Sequence, residues 1–276
     1  MNADKKFELT EETRILEDGV TLRRIKALRD IELTDGSAVR KGELGGWVER
    51  EGNLAQNGTA WIGGEAVVCG RAFVCGNALV SGTARVRCTA WVCGQAVVRE
   101  NAEVFNKSEV CGKAVVRGNA KVYGGSRVFG SSEVYGYANV YGLARVSGDA
   151  KVYDRASVFG EAEVYGNAEA FGEAEVSGKA VVCDKARVHG RSQVYDTARV
   201  YDSAEVSGDA LVFDTAWVCD EAVVSGKASV YGTAGVGGYG RVCGNARVSR
   251  SAEVYGSAVV DGSMEVCGDM RICENK

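Results

Sequence analysis

The 276-residue chain has no proline, a single histidine (His189), three methionines, and no apolar run near the roughly 18 residues that a membrane span needs. Without proline, every backbone nitrogen keeps its donor, which suits a fold made of hydrogen-bonded ladders. One histidine rules out a multi-histidine metal centre and leaves one candidate imidazole base. Neither charge sign dominates: 33 Lys+Arg stand against 37 Asp+Glu, a net of −4. The chain thus has neither the basic footprint of a nucleic-acid binder nor the acidic excess of a DNA mimic. The start, "MNADKKFELTEETRILEDG", lacks the apolar core of a secretion signal, so the chain reads as cytoplasmic, with no membrane partner. In that setting its ten cysteines read as free thiols.

What is abundant is repetition. From Trp61 onward the sequence falls into six-residue words without a slip. The column from Ile62 to Ile272 holds 36 positions, all Val or Ile except Ala170. Two residues earlier stands Ala, with Ser108, Ser126, Ser132, Ser192, Gly240, Met264 and Met270 as exceptions. Ala-x-Val puts two small apolar side chains on one face of a short strand and the middle residue on the other. That middle column is mostly charged, as Arg85, Glu103, Lys121, Glu163 and Arg199 show. Two residues after each Val comes Gly, Asp or Asn, the residues that tolerate positive φ, so a tight corner recurs every six residues. Cys88, Glu100, Arg250 and Glu274 occupy the same column and are expected to be strained or differently turned.

A three-residue strand cannot bury its apolar face alone, but stacked coils can. The pattern predicts an all-β single-stranded β-helix, or β-solenoid. Three words per coil give about 12 triangular coils at about 4.8 Å each; a flat two-word coil is the alternative. Residues 60–276 form the solenoid. Residues 1–59, with short strand patterns at "KFELT" and "TLRRIKALRDIEL", read as an N-terminal β-rich cap.

Val164, Ala168 and their equivalents resemble the words of the hexapeptide-repeat, left-handed β-helix family. The glycine differs, lying two residues after the valine (Gly166), and bactofilin-like right-handed β-helices also use short words with glycine. Left-handed winding is favoured over right-handed. The words, preceded by "KGELGGWVEREGNLAQNGTAWI", look most like uncharacterised phage and bacterial repeat proteins, which implies a host-cytoplasm setting. Many hexapeptide proteins are acyltransferases with a histidine base in an inter-subunit cleft shaped by loops. Here His189 shares the outward column of Tyr153 and Phe171, and no loop interrupts the words around it. The chain is therefore read as non-enzymatic, with no catalytic residue, cofactor or metal ligand assigned.

Function is then sought on the surface. Cys75, Cys93 and Cys111 are 18 apart and should stack on one corner, close enough for a disulfide or a soft metal, although the column accepts Tyr, Phe, Ser and Cys alike. "GELGGWVE" has no following helix to offer a phosphate. Phe105, Tyr123, Tyr141 and Phe159 form an aromatic stripe on one corner, either a structural ladder or a ligand platform. Trp61, Leu79, Val97 and Val115 make an apolar stripe on one prism face, the candidate interface for the cap. Leu211, Trp217 and Val223 form an uncovered patch, the candidate contact for a partner. The words run to Ile272 without a capping helix, so the last coil is expected to expose strand edges, blunted by Glu274 and Lys276 or paired with another copy. The expected function is a structural or interaction rod that self-associates. The alternatives are a phage-encoded module sequestering a host protein or small molecule, and an acyltransferase-like enzyme.

Overall fold

The chain is described by a computed structural model over residues 5–274. Apart from one short 3-10 turn, Glu51–Asn53, its regular structure is strand. The fold is a β-solenoid of about 13 turns with stacked parallel sheets. It divides into two compact units, Met1–Gly136 and Tyr137–Lys276.

Pairing between words 18 residues apart sets the coil at three words. In the first unit Arg85–Val86 pairs in parallel with Val67–Val68 and with Glu103–Val104, and Val97–Val98 with Leu79–Val80 and Val115–Val116. In the second, Glu169–Ala170 lies between Lys151–Val152 and Arg187–Val188. A flat two-word coil would pair at a spacing of twelve. Between strands the chain turns through a residue in the left-handed region, Gly70 at φ +69° and Gly160 at φ +72° for instance. Cys88, Glu100 and Arg250 adopt it too, at φ 63°, 62° and 61°. Glu274 does not: it lies in the strand Arg271–Glu274, paired with Gly256. Lys276 falls outside the described residues.

The cap begins with an antiparallel hairpin of β1 (Phe7–Ile15) and β2 (Thr21–Ala27), closed at Asp18–Gly19. A second hairpin, β3 (Ile31–Glu32) and β4 (Ala38–Val39), follows around Asp35–Gly36. Then β5 (Leu44–Val48) runs antiparallel to β2 and parallel to Val67–Val68, so the cap continues a solenoid sheet. Val48 aligns with Val68, and Leu54 bridges Val74. These offsets are 20 residues instead of 18. Two extra residues in the Ala55–Thr59 stretch hide one more coil from six-residue counting, and the solenoid therefore starts before Trp61. Gly45 and Gly46 permit the junction: a Cβ on Gly45 would stand 2.6 Å from the Ile62 carbonyl oxygen and 2.7 Å from the Trp61 ring.

Trp61, Leu79, Val97 and Val115 line one sheet of the first unit. Trp61 and Leu79 are buried and the two valines half-buried. Ile31 and Val39 of the second hairpin are buried too. Its turn residue Asp35 has its carboxyl held below the usual range, chiefly by the Ser37 hydroxyl, with the Arg99 charge adding to it. The hairpin tip is thus near the coil that carries Val97.

Inward Ala and Val side chains are almost all fully buried. Where Ser replaces Ala, the hydroxyl finds backbone: Ser108 Oγ donates to the Phe105 carbonyl at 2.8 Å and the Val122 carbonyl at 3.1 Å. Ala170 is fully buried between Val152 and Val188, while Phe171 stays outside, stacked between Tyr153 and His189. Lys6 is the exception to an apolar interior. Its ammonium donates to the Ala60 carbonyl at 2.7 Å, and burial, then the nearby Arg29 charge, lower its pKa to about 8.

Two outcomes follow from this packing. Ala170→Val restores missing methyl groups and leaves the Tm unchanged or raises it, by up to about 1 kcal/mol, whereas Val152→Ala costs about 2 kcal/mol or more; thermal melts of both variants check this, and a lower Tm for Ala170→Val would show the site already full. For Lys6, native and unfolded chains are both protonated below pH 8. Between pH 8 and 10.5 only the unfolded chain holds the proton, so the native state gains as pH rises. The stability of the native sequence relative to Lys6→Met should rise across that window by about 3 kcal/mol, read by urea unfolding at stepped pH.

Candidate functional site

The residue after each Val stands on a corner, and its character decides what that corner offers. Phe105 stacks on Tyr123 and Tyr141 on Phe159, each with centroids 4.8 Å apart and planes within 3°. Tyr195, Phe213 and Tyr231 continue in the same way, at 5.0 and 4.9 Å. This separation is the coil spacing. Neighbouring rings cover one another's faces and leave edges outside, so these stacks are ladders and not flat platforms. His189 belongs to one: its ring lies 4.6 Å from Phe171, with Nε2 3.1 Å from Glu205 Oε1.

Leu211, Trp217 and Val223 are not brought together. The strands Leu211–Val212, Trp217–Val218 and Val223–Val224 belong to three different sheets. Successive words sit on successive faces of the coil, so residues six apart point in different directions and only those 18 apart share a surface. The proposed patch does not exist as one surface.

Trp217 has another setting. Its neighbours on the same face are Arg199 and Gly235, and its ring lies over Gly235, where a Cβ would collide with it. It also meets Tyr255 at 5.9 Å. On this face of the second unit is an open groove of about 780 Å³, lined among others by Glu163, Tyr165, Val181, Cys183, Arg199 and Tyr201, with Trp217 at one end. The adjoining corner alternates Tyr165, Cys183, Tyr201 and Cys219, so rings are two coils apart and no aromatic stack closes over the thiols. Each tyrosine hydroxyl instead hydrogen-bonds the next thiol sulfur, Tyr165 to Cys183 and Tyr201 to Cys219. The Tyr165 phenol is pushed up to about 12, first by that bond. Burial pushes the Cys183 and Cys219 thiols up to about 11, so both stay protonated at neutral pH and neither is a ready thiolate nucleophile.

Arg199 is the unusual member. Elsewhere, charges on adjacent coils pair: Arg145 with Glu163 at 3.2 Å, Arg187 with Glu169 at 3.8 Å and Glu205 at 3.9 Å. Arg199 has Val181 on one side and Trp217 on the other, and among the described residues it forms no ion pair. An exposed guanidinium between an apolar floor and an indole can hold an anionic group next to a planar or apolar one. The clue in the sequence was the 18-residue column Glu163, Val181, Arg199, Trp217, Gly235, in which apolar residues interrupt alternating charge.

The turns carry a second ladder. The amide of the left-handed residue makes no bond in the coil-to-coil backbone ladder. Where a carboxylate stands there one coil earlier, it accepts this donor: Glu100 from Gly118 at 2.8 Å, Asp214 from Gly232 at 3.0 Å, Asp220 from Gly238 at 2.8 Å. Asp at these turns is thus a structural cap as well as a residue that tolerates the conformation.

Two side-chain clusters have metal-ligand composition: Cys93, Glu109 and Cys111 in the first unit, and Asp202, Cys219 and Asp220 in the second.

Residues 241–256 match the protein-family model described as "YdcK Beta solenoid repeat". That stretch spans slightly less than one coil and agrees with the solenoid architecture. No curated protein matches the chain.

Proposed function

We propose that the chain is a non-enzymatic interaction protein whose solenoid holds a binding groove at Val181, Arg199, Tyr201 and Trp217. The observation that carries this reading is Arg199, left unpaired between apolar rungs on a surface where neighbouring charges are otherwise matched. The occupant it suits is a ligand or partner segment with a carboxylate or other anion beside an aromatic or apolar group. Short peptides with Glu next to Phe or Tyr are the probe. Binding by fluorescence anisotropy should weaken about tenfold in Arg199→Gln and in Trp217→Ala, the equivalent of about 1.4 kcal/mol, and should vanish when Lys replaces Glu in the peptide. Equal affinity in Arg199→Gln would remove the groove from consideration.

A second reading, self-association, has its own support. In the last described coil Met264 and Met270 stand in the column that elsewhere holds buried Ala, and they are 51% and 45% exposed. The strands Val259–Val260, Glu265–Val266 and Arg271–Glu274 are each terminal in their sheets. Unpaired edges beside exposed apolar side chains favour pairing with a second copy. Light scattering over a concentration series should show dimers or larger species that Met264→Glu with Met270→Glu abolishes; a strict monomer at high concentration would end this reading.

A further inference from the structure

We infer that Cys93, Cys111 and Glu109 form a site for a thiophilic divalent cation of the Zn²⁺ or Cd²⁺ type. The two thiols occupy the same corner position on consecutive coils, fixed by backbone bonds from Cys93 N to the Val110 carbonyl and from Cys111 N to the Val128 carbonyl, both 2.9 Å. Their sulfurs and a Glu109 carboxylate oxygen all lie within 4.8 Å of one another, on half-buried residues. Two thiolates on one zinc, each bonded at about 2.3 Å, sit about 3.8 Å apart at a tetrahedral angle and at most about 4.6 Å apart. Coil stacking therefore holds the thiols close to bridging separation, and small side-chain rotations complete it.

The neighbouring coil shows why this pair is the site. Cys75 stands on the same corner one coil earlier, its amide bonded to the Val92 carbonyl at 3.0 Å. The strand residue before Cys93 is Trp91, however, where Glu109 stands before Cys111. The pair of Cys75 and Cys93 thus lacks a carboxylate from that coil. Charge also balances. Two thiolates, one carboxylate and a divalent ion sum to minus one, and Arg127, 2.8 Å from Glu109 Oε2, offsets it. Loading converts two thiols to metal-bound thiolates and releases two protons, with a fourth position left to water. The Asp202, Cys219 and Asp220 cluster is the weaker candidate. It has one sulfur, and its carboxylates already cap the turn amides of Asp220 and Gly238.

Serine occurs in the same column at Ser81, Ser147 and Ser177, so serine variants suit the fold. The full chain, reduced with a phosphine and stripped of metal, is titrated with Cd²⁺ alone and followed by ultraviolet thiolate-to-metal charge transfer. One equivalent should saturate the signal and raise the Tm. Cys93→Ser and Cys111→Ser should each lose it with unchanged circular dichroism, Cys219→Ser and Cys243→Ser should keep it, and Glu109→Gln should bind about tenfold more weakly. No charge-transfer band in the native sequence, or Cys93→Ser and Cys111→Ser binding with native midpoint and amplitude, would overturn the site. Unchanged affinity in Glu109→Gln would strike the carboxylate from it.

Discussion

The interaction on which everything else depends is the hydrogen bond from one coil to the next. In each word three amides reach forward: Leu79 N to Ala96 O, Ser81 N to Val98 O and Thr83 N to Glu100 O, all at 2.9 Å. Because the bonds continue through the turn as well as the strand, a coil cannot change length without breaking them. Strict length is what turns a six-residue pattern into aligned columns, and aligned columns produce ring stacks, paired charges and adjacent thiols from residues 18 apart. Single ion pairs of this kind are individually weak. Their regularity comes from the backbone and does not create it.

The turn shows how the same constraint selects residues that seem unrelated to it. Forward bonding leaves the left-handed residue's amide unused. Glycine leaves it to solvent. Aspartate tolerates the backbone and reaches the vacant amide one coil on, so the frequent replacement of Gly by Asp, and by Glu at Glu100, is a hydrogen-bonding solution. It also lines the second unit's corner with carboxylates beside Cys183 and Cys219, whose thiols donate to Asp184 and Asp220 at 3.3 Å.

Much of the fold was legible because its information is periodic and local. Val, Ala and Gly columns state directly which side chains face in and where the chain turns, and Ala170, Ser108 and Cys88 stand where the columns put them. The coil before Trp61 was hidden because two additional residues shift Val48 and Leu54 out of the six-residue count, although both remain inward-facing. The Leu211, Trp217 and Val223 patch failed for a different reason. Nearness in sequence was taken as nearness in space, while three words per coil carry neighbours to different faces. The groove needed knowledge the columns lack, namely where the Trp217 ring goes once Gly235 makes room for it. Cys93 and Cys111 were readable as stacked, but Glu109 became their companion only when the strand and its corner were placed together.

The three-word coil also determines how such a gene can be edited. Inserting or removing 18 residues adds or deletes one storey and leaves every surviving column in line, so stacks and grooves away from the junction keep their partners. A change of six residues preserves the core just as well, since one Ala-x-Val word replaces another, yet it rotates all that follows by one face relative to what precedes. The interior cannot distinguish these two events. The surface can, and selection on a binding groove would therefore act on the number of words modulo three, a form of reading frame written in coils instead of codons.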